Sequence, residues 1–447
     1  MTHPFDPTDL TTKAQRLVEA AHAAGADAAD VVAATGTSLG IDVRDGHIEE
    51  TDRSEGEDVT LRVFCGGRIA SVSANGFREM TALAERAVAM ARTAPEDRFA
   101  GLAGPDELET AFADLDLLDP VEVDAAALAT RARAAEEAAL AVPGVTKSGG
   151  ASASWRVGGM VLATSNGFCG GYVASRHGVS VTAIAGEGTG MERDYDFDSR
   201  THLEDLADAA EIGRRAGERA IARVNPRKLS TRTADVVYEP RVARSLVGHL
   251  IGAINGAAIA RGTGFLKDRL GTAVFPEALS LIDDPTRPRG LASRPFDGEG
   301  RPARPLTLID KGVLTQWLLD TASARELGLT PNGRAGRGGA GPSPTSTNLT
   351  LTPGTATQAE LLAEIGTGLL VTDLIGHGVN AVTGDYSRGA SGFWVEGGEI
   401  AYPVSEITLA GNLVPMFASL VAGNDVDTRS AHHVPSLLVR TLTIAGQ

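Results

Sequence analysis

Cysteine is nearly absent from this chain. Cys65 and Cys169 are its two, each in an apolar, glycine-rich setting (VFCGG and GFCGG), and no CxxC spacing occurs. That pattern excludes a disulfide framework and a thiolate metal site, and reads as reduced, buried thiols. Aromatic residues are scarce at 4%, whereas glycine fills 53 of 447 positions. The combination points to many tight turns in β structure rather than to disorder. No run of about 18 apolar residues appears, and the N-terminal MTHPFDPTDLTTKAQ has no apolar signal core. The expectation is a cytoplasmic protein without a membrane partner. A basic excess is also missing. Lys and Arg number 41 against 57 Asp and Glu, a net charge of −16, which argues against a nucleic-acid surface and favours solubility.

Several catalytic devices are missing as well. None of the nine histidines is followed by Glu, so there is no HExxH or HExxxH helix on which a Glu could activate a metal-bound water. No GxxxxGK[ST] loop exists to hold a nucleotide, and Ser391 in RGASGF lacks the spacing of a GxSxG elbow. The run Asp194-Tyr-Asp-Phe-Asp198 opens like a calcium loop but has Ser199 at its sixth position and Asp205 at its twelfth, and so reads as solvated charge.

What is present is two rounds of helix, antiparallel meander and helix. The first has helices at 8–24 and 78–93 around strands at 28–73, with Asp45-Gly46 and Gly66-Gly67 as hairpin turns. The second has helices at 122–141 and 202–223 around strands at 145–187. A proline-rich acidic stretch, 94–122, separates them. From 232 the texture changes to a strand, a helix with small residues on one side, and β-rich sequence to the end. An arginine- and glycine-rich stretch at 331–348 interrupts it and reads as a mobile or interface loop. The fold expected is α+β: an N-terminal region 1–225 of two helix-flanked antiparallel sheets (subdomains about 1–95 and 120–225), then a β-rich barrel- or sandwich-like domain, 230–447.

The most informative stretch is 368–424. Short β-type runs alternate there with glycine turns, and Gly397-Gly398 marks a hairpin. Polar residues collect between the runs: His377, Asn380, Thr383, Asp385, Ser387 and Arg388. A β scaffold carrying polar groups on loops is a common way to build a site. From the residues alone, a buried β core with polar turns stands as the plainer alternative.

The segment VTGDYSRGASGFWVEGGEIAYPVSEITLAGN (382–412) resembles the C-terminal signature of the TldD/PmbA family, and more narrowly its PmbA (TldE) branch. Gly67–Asn75 (GRIASVSAN), LLDTASARELGLTPNGRAGR (318–337) and GPSPTSTNLTLTPG (341–354) are similar to further family segments. The catalytic branch opens a helix with LLHEAIGH where this chain has Leu246-Val-Gly-His-Leu-Ile-Gly-Ala253. Gly248 and Ala253 stand at the two ligand histidines, and His249 stands at the Glu. The late cysteine ligand of that branch has no counterpart in LIGHGVN (374–380).

The resemblance implies a non-catalytic subunit of a zinc metalloprotease complex that acts on unfolded peptides, in proteolysis or peptide maturation. Zinc is expected in a TldD-type partner and no cofactor in this chain; a homodimer is the alternative assembly. No catalytic residue and no metal ligand is assigned here. Thr383, Asp385, Tyr386, Ser387, Arg388 and His377 are the expected peptide- or partner-binding residues, on a turn with exposed strand edges that add a peptide strand. Two other readings stay open: a homomeric binding or scaffold protein, and a metallopeptidase with an atypical site built on His249 and His377.

Overall fold

The computed structural model describes residues 7–338 and 341–446. Its N-terminal half is a single six-stranded antiparallel sheet with four helices on one face. Helix α1 (Pro7–Ala23) leads into β1 (Ala28–Arg44), β2 (His47–Cys65) and β3 (Arg68–Asn75), and α2 (Met80–Thr93) follows. The pattern repeats as α3 (Ala125–Leu140), β4 (Val145–Thr164), β5 (Cys169–Ala185), β6 (Glu192–Arg200) and α4 (Ala209–Ala222). The two meanders join edge to edge through β1 and β4, from Asp30↔Thr164 to Val43↔Ala151, so the strand order is β3-β2-β1-β4-β5-β6. Asp45-Gly46 and Gly66-Gly67 turn the hairpins with all four φ angles positive, as two-residue loops of this kind require.

Side chains alternate across β1, and one face is apolar. Val31 and Ala33 pack with Val59, Leu61 and Val161 under α1 and α2. Ile41 and Val43 pack with Ala153, Trp155 and Val181 under α3 and α4. Helices α3 and α4 lie unusually close, because α4 offers Gly213 and Gly217 to α3. A Cβ at Gly213 would fall 2.0 Å from the Ala135 carbonyl oxygen.

The C-terminal half opens with β7 (Arg232–Tyr238) and α5 (Pro240–Ala253), and its longest strands are β8 (Gly368–Ile375), β9 (Asp385–Glu396), β10 (Glu399–Asn412) and β11 (Leu437–Ala445). β10, β9, β8, β7 and β11 pair in that order, and β10 returns to β11 through Thr408–Ala410, closing a five-stranded barrel. Gly397 and Gly398, both at positive φ, make the β9–β10 turn. The two sides of the wall feed different cores. Val237, Leu370, Val395 and Leu438 meet the helix Gln358–Ile365, whereas Val236, Tyr238, Val371 and Tyr386 join the large core that includes Leu246 and Leu250 of α5. A smaller five-stranded sheet, formed by 281–283, 306–310, 313–314, 349–351 and 432–433, sits beside the barrel.

Two expectations need correcting. The acidic run 194–198 is not solvated. Asp194, Asp196 and Asp198 alternate on β6, and all are buried. Arg223 and Arg241 hold Asp194; Arg215, Arg219 and Arg429 hold Asp196; Arg200 holds Asp198. Arg215 and Arg219 of α4 and its C-cap Arg223 recur every fourth residue, so one stripe of that helix and its end serve the ladder. The second correction concerns mobility at 331–348. Arg334 is fully buried, its Nε 2.6 Å from Asp283, and its guanidinium donates to the Arg304 carbonyl. Arg337 reaches the N-terminal sheet, where its Nη2 donates to Asp30 at 2.9 Å beside Arg62. Of the two readings, mobile or interface, the described part fits the interface: 333–336 are buried, and Arg334 and Arg337 are each paired with an aspartate, since unpaired guanidinium burial is costly.

Candidate functional site

The site builds on α5 and the start of β9. Pro240 at the first turn of α5 presets its φ, and the apolar positions Ala243, Leu246, Val247 and Leu250 turn the helix toward the barrel core. His249 follows on the flank of that stripe. Its ring meets Tyr386 edge-on, with centroids 6.1 Å apart and planes at 76°. Tyr386 and Tyr238 are both buried. The two phenols lie close enough to shift one another's pKa. Burial pushes the Tyr238 phenol well above its ordinary value, and Tyr386 adds to that; burial likewise raises Tyr386.

Arg388, two residues along β9, shares the face of Tyr386 and is half-buried. Among the described residues its Nε is buried without a hydrogen-bond partner, as is His249 Nε2. Burial first, then the charges of Arg388 and His377, hold His249 below its ordinary value, so the imidazole is neutral at pH 7. The cluster thus gathers donors around one cation and, among the described residues, contains no carboxylate. Such a group suits an oxygen acceptor, a peptide carbonyl, carboxylate or water. It is poorly suited to a divalent metal, which the guanidinium repels. Among the described residues there is no group of three or more His, Cys, Asp and Glu able to hold a metal ion.

The residues singled out from sequence divide between two places. Tyr386 and Arg388 belong to the cluster just described. Asp385 and Ser387 point the opposite way and are exposed, since β9 alternates. Thr383, Asp385 and Asn412 form a separate exposed knot: Thr383 Oγ1 donates to Asp385 Oδ2 at 2.6 Å, and Asn412 Nδ2 donates to Asp385 Oδ1 at 3.1 Å. Those bonds hold the Asp385 carboxyl below its usual range. His377 is exposed in the β8–β9 loop, where its carbonyl accepts from Val379 N.

The turn expected at 385–388 is strand. The pairs Asp385↔Asn412 through Arg388↔Leu409 tie it to β10. β9 is flanked by β8 from Gly389 to Val395 and by β10 along its length, so it offers no edge over 389–395, whereas β10 meets β11 only through Thr408–Ala410. Sequence reasoning missed Tyr238, whose partner Tyr386 lies far along the chain; no local signal marks it.

With this geometry in hand, the comparisons are direct. The PmbA/TldA metallopeptidase domain 1 matches residues 29–91, the central domain 118–224, and the C-terminal domain 231–446. This is a protein of the PmbA/TldD metallopeptidase family. Metalloprotease PmbA of Escherichia coli O157:H7 is 39% identical over 94% of this chain and 93% of its own length. The Metalloprotease PmbA homolog of Haemophilus influenzae is 36% identical over 96% and 94%. Within the family the chain therefore falls in the PmbA/TldE branch. A crystal structure from Bacteroides thetaiotaomicron, named as a candidate modulator of DNA gyrase, superposes with a TM-score of 0.89 at 27% identity, covering 98% of both chains. TldE from Thermococcus kodakarensis shares the fold at TM-score 0.86 and 18% identity, over 97% of this chain and 100% of that one. No helix among the described residues is long and apolar enough to cross a membrane.

Proposed function

We propose that this chain is the non-catalytic, TldE-type subunit of a two-chain zinc metalloprotease that acts on unfolded peptides in the cytoplasm. A TldD-type partner supplies the metal and the catalytic base. This chain supplies a wall that orients the substrate, with Arg388, Tyr386 and His249 offering donors to a peptide oxygen and the exposed Thr383–Asp385–Ser387 segment and His377 available to the partner. One observation carries the reading. Where the catalytic branch places its zinc-binding helix, α5 here carries Gly248, His249 and Ala253, and His249 meets Tyr386 and the charge of Arg388.

The experiment is co-expression with a tagged TldD-type chain from the same genome. The expected outcome is a stable heteromer that cleaves an unfolded peptide, zinc that travels with the partner, and no cleavage by this chain alone. Cleavage by this chain alone with about one tightly bound zinc per chain, lost on His249→Ala, would overturn the proposal and favour the atypical-site reading. A homomer that never captures the partner would instead point to a scaffold.

A further inference from the structure

The sheet face opposite the four helices changes character along β1. Asp30 is locked to Arg337 of the C-terminal half. Val32 then lies under a cluster of Phe168, Phe296, Met160 and Tyr172. From Ala34 onward this face opens into a cleft of about 530 Å³.

Registry explains the shape of the cleft. Residues directly opposite in antiparallel strands point the same way. Gly56, Gly36, Gly158 and Ala174 are successive partners across β2, β1, β4 and β5. They form a floor with almost no side chains, crossing the strands at right angles. One wall is the next row, Asp58, Ala34, Met160 and Tyr172; the other is Ser54, Ser38, Arg156 and Arg176. Four strands at about 4.8 Å spacing make a trough roughly 14 Å long, the reach of about four extended residues. It is open at β2. At β5 it is closed by Thr201 and the segment 290–293, with Arg176 Nη2 donating to the Leu291 carbonyl at 2.8 Å.

Arg156 and Arg176 stand directly opposite each other beside this closed end. Like charges in that position disfavour the sheet. Neither has an acidic partner among the described residues, in a chain whose net charge is −16. Two guanidiniums flanking a blind end present donors in the arrangement that binds a carboxylate. We infer that the trough seats the last residues of an extended peptide, whose C-terminal carboxylate is held by Arg156 and Arg176. The floor explains why side-chain identity matters little there: glycine leaves the room to the ligand. This site lies on a different face from the α5–β9 cluster and does not depend on a zinc-bearing partner.

The test uses the full chain alone and fluorescence anisotropy with a panel of N-terminally labelled hexapeptides of mixed sequence, each made as free acid and as C-terminal amide. The free acids should bind at least tenfold more tightly than their amides. The double variant Arg156→Gln/Arg176→Gln should bring the acids down to the amide level with an unchanged or higher Tm. Gly158→Val, whose new Cβ meets nothing closer than 3.5 Å, should block binding of both forms. If that variant fails to fold, Gly56→Leu, which faces open space, serves as the plug. Equal affinity for acid and amide, retention of tight binding by the double variant or by a folded plug variant, or no binding at millimolar peptide would each overturn the inference.

Discussion

Arg241 grips Asp194 with both terminal nitrogens, Nη1 to Oδ1 at 2.6 Å and Nη2 to Oδ2 at 2.9 Å. The pair ties the last strand of the N-terminal sheet to the first helix of the C-terminal half, and both side chains are 2% exposed. Breaking a buried pair from one side leaves an uncompensated charge. Asp194→Asn should therefore destabilise the protein by about 3 kcal/mol, the low end of the range, because Glu239 remains 3.5 Å from Arg241. Burial alone would raise the Asp194 carboxyl, but the Arg241 bonds and the Arg223 charge outweigh it and hold it below its ordinary value. Its stabilisation is thus present above about pH 4 and is lost as the pH falls through the folded value. Urea melts of both proteins from pH 3 to 7 check the magnitude and the acid limb.

Tyr386 tests the corrected placement of the β9 start. As a turn residue it would be dispensable to folding; as a buried strand residue beside Tyr238 and His249 it is core. Tyr386→Ala should cost about 3–5 kcal/mol, the range for large aromatic truncations. Tyr386→Phe should cost far less, about 1 kcal/mol, because it keeps the packed ring and removes only the hydroxyl contact with Tyr238. Denaturant titrations that rank the two variants alike would refute this placement.

Arg388 gives a complementary prediction. Its removal takes away a half-buried cation without an acid partner among the described residues, so Arg388→Met should leave Tm unchanged or slightly higher. The same change should move the His249 imidazole upward toward its ordinary value, because Arg388 is one cause of its depression after burial. A histidine-selective NMR titration reads this. In the two-chain assembly the variant should raise KM for peptide about tenfold or weaken assembly, as loss of an interface arginine commonly does.

Glu299 should shape the neutral pH profile. Burial, then the neighbouring Asp297 charge, pushes its carboxyl up to about 7, while Thr321 donates to it from N and Oγ1. An acid whose folded pKa is raised binds its proton more tightly when folded. Its contribution is full below about pH 4.5 and is lost as pH rises to about 7, a change of roughly 3 kcal/mol. Glu299→Gln should flatten that decline. Thermal melts between pH 4.5 and 8 that fall equally steeply for both proteins would refute it.

Much of the architecture was legible because it is local. The turns at Asp45-Gly46, Gly66-Gly67 and Gly397-Gly398 carry the residues that positive φ demands. The helix at 125–140 begins where Asp124 caps the amide of Ala127. The failures are all long-range. Asp194–Asp198 looks solvated because five of its arginines lie on other elements, Arg215 and Arg219 on α4, Arg223 at its C-cap, Arg241 on α5 and Arg429 near the C-terminus. Strict alternation of the three aspartates against arginines at every fourth residue was the available clue. Arg334 and Arg337 look mobile because Asp283 and Asp30, which bury them, are distant in sequence. For the candidate site, sequence marked Tyr386, Arg388 and His249 separately. Their convergence, and that of Tyr238, comes from barrel closure, which no local pattern encodes.

The seam between β1 and β4 has a consequence for how the N-terminal half holds together. The covalent route from its first meander to its second runs through 94–124 over the surface, while the hydrogen-bond ladder from Asp30↔Thr164 to Val43↔Ala151 joins them directly. A protease that nicks that connection severs the polypeptide without opening the sheet. The two pieces remain one cooperative body, and each supplies the edge on which the other nucleates.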